Sequence, residues 1–150
     1  MADQDARAAE IRALERELAA MVRRIKRAIA TRAHMVHPEL AAASWSMLAS
    51  LRDDGPQRSA DLSERFSIDK GAVSRQVSTL EDLGLVGREP DPDDGRAQLL
   101  RLTEEGARRV DEVDARRREW YEGRLSDWGA AEIGDLAERL GAYNRALDSD

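Results

Sequence analysis

Cysteine is absent from the 150 residues. That excludes disulfides, thiolate metal sites and thiol oxidation as a signal. Long apolar runs are missing too. No stretch approaches the roughly 20 apolar residues a membrane span needs, and the opening "MADQDARAAE" does not read as a signal peptide. The expectation is a soluble cytoplasmic protein. Lysine is nearly missing, with 22 Arg against 2 Lys, which reads as bacterial high-GC coding bias. Net positive charge is lacking as well. The chain carries −6, divided as +3 over 1–32, −1 over 33–58, −3 over 59–101 and −5 over 102–150. Such a field does not attract a polyanion by itself, so any face that binds one must concentrate its cations locally. A chain of this length buries about 68–70% of its unfolded surface and needs no staples.

Apolar residues mark both ends. Ile11, Leu14, Leu18, Met21, Ile25 and Ala28 step by 3 and 4, a heptad seam on a long helix. Ile133, Leu136, Leu140, Tyr143 and Leu147 repeat the pattern near the other end. Two narrow seams at opposite ends of a small chain suggest a dimer of interleaved termini; folding back onto their own domain is the alternative. No internal repeat or low-complexity tail is visible.

Between the seams, Pro38 is expected to open a helix, where its missing N–H is harmless. Leu40, Ser44, Met47, Leu48 and Leu51 give that helix an inner face, and Gly55-Pro56 ends it. Ser59 is the expected N-cap of a short helix, "ADLSERF", with Asp61 in its first turn. After "SID", Asp69 is expected to cap the helix "GAVSRQVSTLEDLGLV", which stops at a glycine. Two helices joined by so short a turn form a helix-turn-helix. The segments "LVGRE" and "AQLLRLT" flank the turn-rich "PDPDDGR" and predict a small β-hairpin. Thr103 then caps a helix running to about Leu125.

On the second helix of the pair, Val73, Val77 and Leu80 share one face. The opposite face holds Gly71, Arg75 and Ser78, with Ser74 on its flank. Small polar groups around one long cation suit close approach to a DNA major groove about 12 Å wide, where an arginine reads guanine or clamps a phosphate. Lys70 and the first-turn N–H groups add phosphate contacts. Arg96 stands at the hairpin tip, placed for the adjacent minor groove. Asp94 either orients that guanidinium or braces the loop. The candidate DNA contacts are thus Ser59, Lys70, Gly71, Ser74, Arg75, Ser78, Asp94 and Arg96. The fold class is mainly α with a small β-hairpin wing.

Residues 72–106 resemble the signature region of the MarR family of transcriptional regulators. "VSRQVSTLEDLGLVGR" is similar to the family's recognition helix and first wing strand. "DGRAQLLRLTEEG" is similar to its wing, with Asp94, Arg96, Leu102, Thr103 and Gly106 at the matching spacings. Many members carry two adjacent wing arginines; here Gly95 takes the first place. The resemblance implies an obligate homodimer built by the N- and C-terminal helices, each winged domain reading half of a pseudo-palindromic operator, with half-sites about 10–10.5 bp apart. The matching division is 1–36 for an N-terminal dimerisation helix, 37–103 for the winged domain and 104–150 for helices completing the dimer. It also implies repression, relieved in many members by a small phenolic or anionic ligand.

The sensing side is sparse. His34 and His37 in "HMVHP" do not make a zinc site without more ligands, so no metal and no cofactor is expected. His34 and Trp45 are the candidates for walling an aromatic ligand pocket, against core packing for Trp45. Trp120 and Tyr121 read as core or dimer interface, and Arg116, Arg117 and Arg118 as a solvated turn. An enzyme is not expected, for no nucleophile–base pair, phosphate-binding glycine loop or metal cluster is present. An adaptor that keeps the winged fold without DNA affinity is the competing reading, favoured by the acidic balance of 59–101.

Overall fold

A computed structural model describes residues 2–147. Met1 and residues 148–150, which the expected outer segments include, lie outside the described residues. The elements run α1 (Ala2–Val36), α2 (Ala42–Asp54), α3 (Ser59–Phe66), α4 (Lys70–Asp82), β1 (Val86–Pro90), β2 (Gln98–Leu102), α5 (Glu104–Arg124) and α6 (Ala130–Leu147). Mainly helical with a two-stranded antiparallel sheet, the architecture is the expected one.

Pro38 does not open a helix. α1 stops at Val36, and His37–Leu40 forms a turn in which the Leu40 N–H donates to the His37 carbonyl at 3.0 Å. Proline suits the second position of such a turn, and it discourages helical backbone at the residue before it. α2 begins only at Ala42, behind an extended Ala41. Ser59 does not cap α3 either. The extended N-cap is Arg58, one residue earlier, and the Asp61 carboxylate reaches back to its N–H at 3.2 Å. A first-turn acid thus satisfies the helix end that the serine was expected to serve.

The chain forms two compact units, one up to Val113 and the other from Asp114 on. The first has a continuous core. Ala33 and Val36 at the end of α1 are buried in it, with Met47 and Leu48 of α2, Leu62 of α3, Val73, Val77 and Leu80 of α4, and Leu100 of β2. Trp45 belongs to that core, at 4% exposure. Most of α1 before Ala28 is exposed, including the heptad residues Ile11, Leu14, Met21 and Ile25, with Leu18 half-buried.

The hairpin pairs Val86 with Leu102 through to Pro90 with Gln98. Gln57 adds a one-residue third strand, exchanging 3.0 and 2.8 Å backbone bonds with Leu100. Its side-chain amide donates to the Ser50 carbonyl at 3.1 Å and thereby ties the sheet to α2.

The second unit contains the rest of α5 and all of α6. No residue of α6 is buried. Trp120 and Tyr121 meet edge to face at 5.1 Å, with the Arg124 guanidinium 5.6 Å from the Trp120 ring centre. Both rings are about half exposed, so they are not core of the single chain.

Candidate nucleic-acid interface

α4 forms where the sequence places it. The Asp69 carboxylate accepts the Ala72 N–H at 2.9 Å, capping the helix start. Val73, Val77 and Leu80 are buried, while Gly71, Ser74, Arg75 and Ser78 are all exposed. Gly71 is small for a local reason. A Cβ there would lie 3.0 Å from the Asp69 carboxylate and 3.5 Å from the Arg75 guanidinium, which folds back along the helix towards its N-terminus. Lys70 is exposed beside it. Because Asp69 already occupies the Ala72 N–H, the first turn offers fewer donors to a phosphate than the sequence suggests.

The helix closes at a left-handed Gly84 (φ 69°), with the Leu85 N–H donating to the Leu80 carbonyl at 2.9 Å and the Gly84 N–H to that of Glu81 at 2.9 Å. Thr103 then locks the root of the wing to this end. Its hydroxyl donates to the Gly84 carbonyl at 2.6 Å and accepts the Gly106 N–H at 3.0 Å, capping α5 as expected. Gly106 packs directly on the chain after α4; a Cβ there would fall 2.0 Å from the Leu85 carbonyl oxygen. The Leu-Thr-x-x-Gly spacing is therefore a joint between recognition helix, wing and α5.

The wing tip is braced by acids. Asp94 does not hold the Arg96 guanidinium. Its carboxylate accepts the Arg96 backbone N–H at 3.1 Å, and its carbonyl accepts that of Ala97 at 2.8 Å. Arg96 is left exposed at the tip. Asp91 is the buried member of the loop, at 6% exposure. It accepts the Asp93 N–H at 2.8 Å and the Arg58 guanidinium at 2.6 Å. The Asp93 hydrogen bond, with Arg58 beside it, holds the Asp91 carboxyl below its usual range against the opposing effect of burial. The same pair raises the Arg58 guanidinium further. Arg88 of β1 grips Glu81 of α4 through two bonds, 2.7 and 3.1 Å, which fixes the strand to the recognition helix.

Sequence reasoning missed these ties. Asp91 looked like one more turn former in "PDPDDGR", and Arg58 stands 33 positions away. Nothing in local spacing links them. The resulting pattern is informative: Arg58, Arg88 and Arg101 are each neutralised by an acid. Among the described residues, Lys70, Arg75 and Arg96 enter no ion pair.

The remaining candidates are placed as follows. His34 is exposed, its Nδ1 2.9 Å from the Ala30 carbonyl, whereas Trp45 is buried. His37 Nδ1 accepts the Glu39 N–H at 3.2 Å in the turn after α1. Ile11 and Leu14 share an exposed face of α1, with Leu18 half-buried. Ile133, Leu136, Leu140 and Leu147 are exposed on α6, and Tyr143 is half-buried.

Two helices joined by a tight turn, followed by a braced hairpin, define a winged helix-turn-helix. Comparison with known proteins makes this specific. The model of the MarR family matches residues 40–97. An uncharacterized HTH-type transcriptional regulator, YxaD of Bacillus subtilis, is 35% identical over 69% of this chain and 73% of its own. The HTH-type transcriptional repressor NicR of Pseudomonas putida is 30% identical over 75% of this chain and 70% of its own. Among solved structures, a point mutant of Escherichia coli MarR complexed with operator DNA superposes with a TM-score of 0.65 at 25% identity, covering 89% of this chain and 95% of that one. The chain belongs to the MarR family of transcription regulators. Members of the family are not enzymes, in line with the expectation from sequence. No described helix is long and apolar enough to cross a membrane.

Proposed function

We propose that this protein is a sequence-specific DNA-binding repressor that acts as a homodimer on a pseudo-palindromic operator and is released by a small ligand. The observation that carries the DNA reading is the set of unpaired cations. Lys70 and Arg75 flank a small polar helix face and Arg96 tips the wing, while neighbouring arginines are held by acids. In an acidic chain this is the local concentration of positive charge that phosphate binding requires. Ser74, Arg75 and Ser78 face base edges, Gly71 permits close approach, and Ser59 and Lys70 take backbone phosphates. Asp94 shapes the loop that presents Arg96. These roles disfavour the adaptor alternative.

The dimer is supported by exposure. α6 buries none of its side chains, and the α1 and α6 seams stay open in a single chain. Residues 1–36 and 104–150 are the segments we assign to dimerisation, and 37–103 to DNA. Repression follows the similar protein named as a repressor, and ligand release follows the family resemblance. Of the two pocket candidates, exposed His34 is the more accessible; burial of Trp45 favours a packing role.

Fluorescence anisotropy with the gene's own upstream region tests the proposal. A preference for that duplex over a scrambled one, with affinity falling steeply between 50 and 200 mM salt, is expected from phosphate neutralisation. Equal affinity for both duplexes would refute it.

A further inference from the structure

We propose that α1 carries a second nucleic-acid surface, a stripe of Arg12, Arg16, Arg23, Lys26 and Arg27 that holds a phosphate backbone without reading its sequence, an inference that rests on the DNA-binding reading above. At 100° per residue these five cations fall within an arc of about 100°. The apolar seam from Ile11 to Ala28 occupies the opposite side of the helix. All five are exposed. Between Leu18 and Pro38 the chain has no Asp or Glu, and Glu15 only flanks the stripe's beginning.

The state of these cations sets them apart. Many arginines outside α1 are held by a carboxylate, as Arg58, Arg65, Arg88, Arg108 and Arg139 are. Among the described residues, no cation of α1 enters an ion pair. Lys70, Arg75 and Arg96, the cations assigned to DNA, are in the same state, as are Arg116 and Arg118 of α5 among the described residues.

The shape and chemistry of the stripe favour a linear phosphate polymer. From Arg12 to Arg27 it spans about 22 Å at the helical rise of 1.5 Å per residue. One strand of a duplex places about six phosphates along that length. The uncharged positions between these cations on this face are small, Ala19 and Ala20, with no aromatic or large apolar group to anchor a protein. The helix is continuous from Ala2 to Val36, so the spacing of the charges is set by α1 itself.

The test uses the full chain with Arg16→Gln, Arg23→Gln and Arg27→Gln combined, since glutamine keeps helix propensity. Circular dichroism and sedimentation establish helicity and oligomeric state. Binding to a non-operator duplex is then measured from 50 to 200 mM salt. Loss of three phosphate contacts lowers the log–log salt slope by about 2.7, so the wild type loses about 40-fold more affinity over that range than the variant. Arg75→Ala, in parallel, weakens operator binding, relaxes its preference at one base position and keeps most of the non-operator slope.

An unchanged slope and affinity in the triple variant would overturn the proposal. So would loss of self-association with the slope unchanged, which assigns the stripe to an acidic surface of a second copy. If the triple variant loses helicity, Arg23→Gln alone decides, with a slope change of about 0.9 expected and none refuting. A wild type without operator preference, whose stripe variant still loses non-operator affinity, refutes the operator reading and supports the stripe.

Discussion

Arg75 and Gly106 show what single side chains contribute on either side of the recognition helix. Arg75 lies over Gly71 without an acid partner, free to exchange water for a base edge or phosphate. Arg75→Ala is expected to cost about 1–3 kcal/mol of operator binding and to relax preference at one base position, measured by anisotropy across operator variants. A uniform loss on all sequences identifies a phosphate contact instead. Gly106 acts through space rather than charge. A methyl group there would collide with the Leu85 backbone carbonyl, which cannot rotate away as a side chain would. Gly106→Ala is expected to destabilise by about 3 kcal/mol, at the upper end of overpacking costs, read from chemical denaturation. An Ala variant with wild-type stability would mean that α5 shifts freely against the wing.

At the level of elements, α5 works as a brace through its first turns. Arg109 donates to the Val36 carbonyl at 2.7 Å, satisfying one of the orphan acceptors where α1 ends. Glu105 holds Arg109 at 2.6 Å and Arg108 at 2.8 Å, and these arginines, Arg108 foremost, depress its pKa to about 2. The folded pKa lies below the ordinary 4.5, so the contribution to stability is fully present above that pH and disappears as pH falls towards about 2. Thermal melts should therefore show Glu105→Gln less stable than wild type at pH 6, with the gap closing as the pH approaches 2. A gap independent of pH would show that the carboxylate charge plays no part. The Thr103 cap at the start of the same helix was legible from "LTEEG"; the Arg109 contact was not, because its partner is a backbone carbonyl 73 residues away.

For the whole molecule, the question is what covers the apolar seams. Leu136 and Leu147 stand 44% and 62% exposed on a helix with no buried residue. An isolated helix of that length gains little from propensity alone, so its stability has to come from packing an apolar face. Leu140→Asp is expected to convert the dimer to monomer in sedimentation experiments and to abolish operator binding, since half-sites a helical turn apart need two linked reading heads. A dimeric variant that still binds DNA would relocate the interface away from this seam. The proposed stripe on α1 belongs to this scale too, because its five cations act together along one phosphate strand rather than through a single contact.

Periodicity and short-range chemistry determined the elements: the seams, the α4 cap at Asp69, the glycine stop at Gly84, the hairpin arms and the polar face from Gly71 to Ser78. Each is decided within about one or two helical turns, where spacing and side-chain chemistry act directly. The start of α2 beyond Pro38 and the α3 cap at Arg58 are local as well, set by the His37–Leu40 turn and by Asp61. Tertiary structure alone decided the buried Asp91 that anchors the wing and the Gln57 strand. Those depend on groups brought together from distant positions, and burial sets their weight: a carboxylate that is one of several in a solvated turn becomes an anchor once folding removes its water and leaves Arg58 beside it.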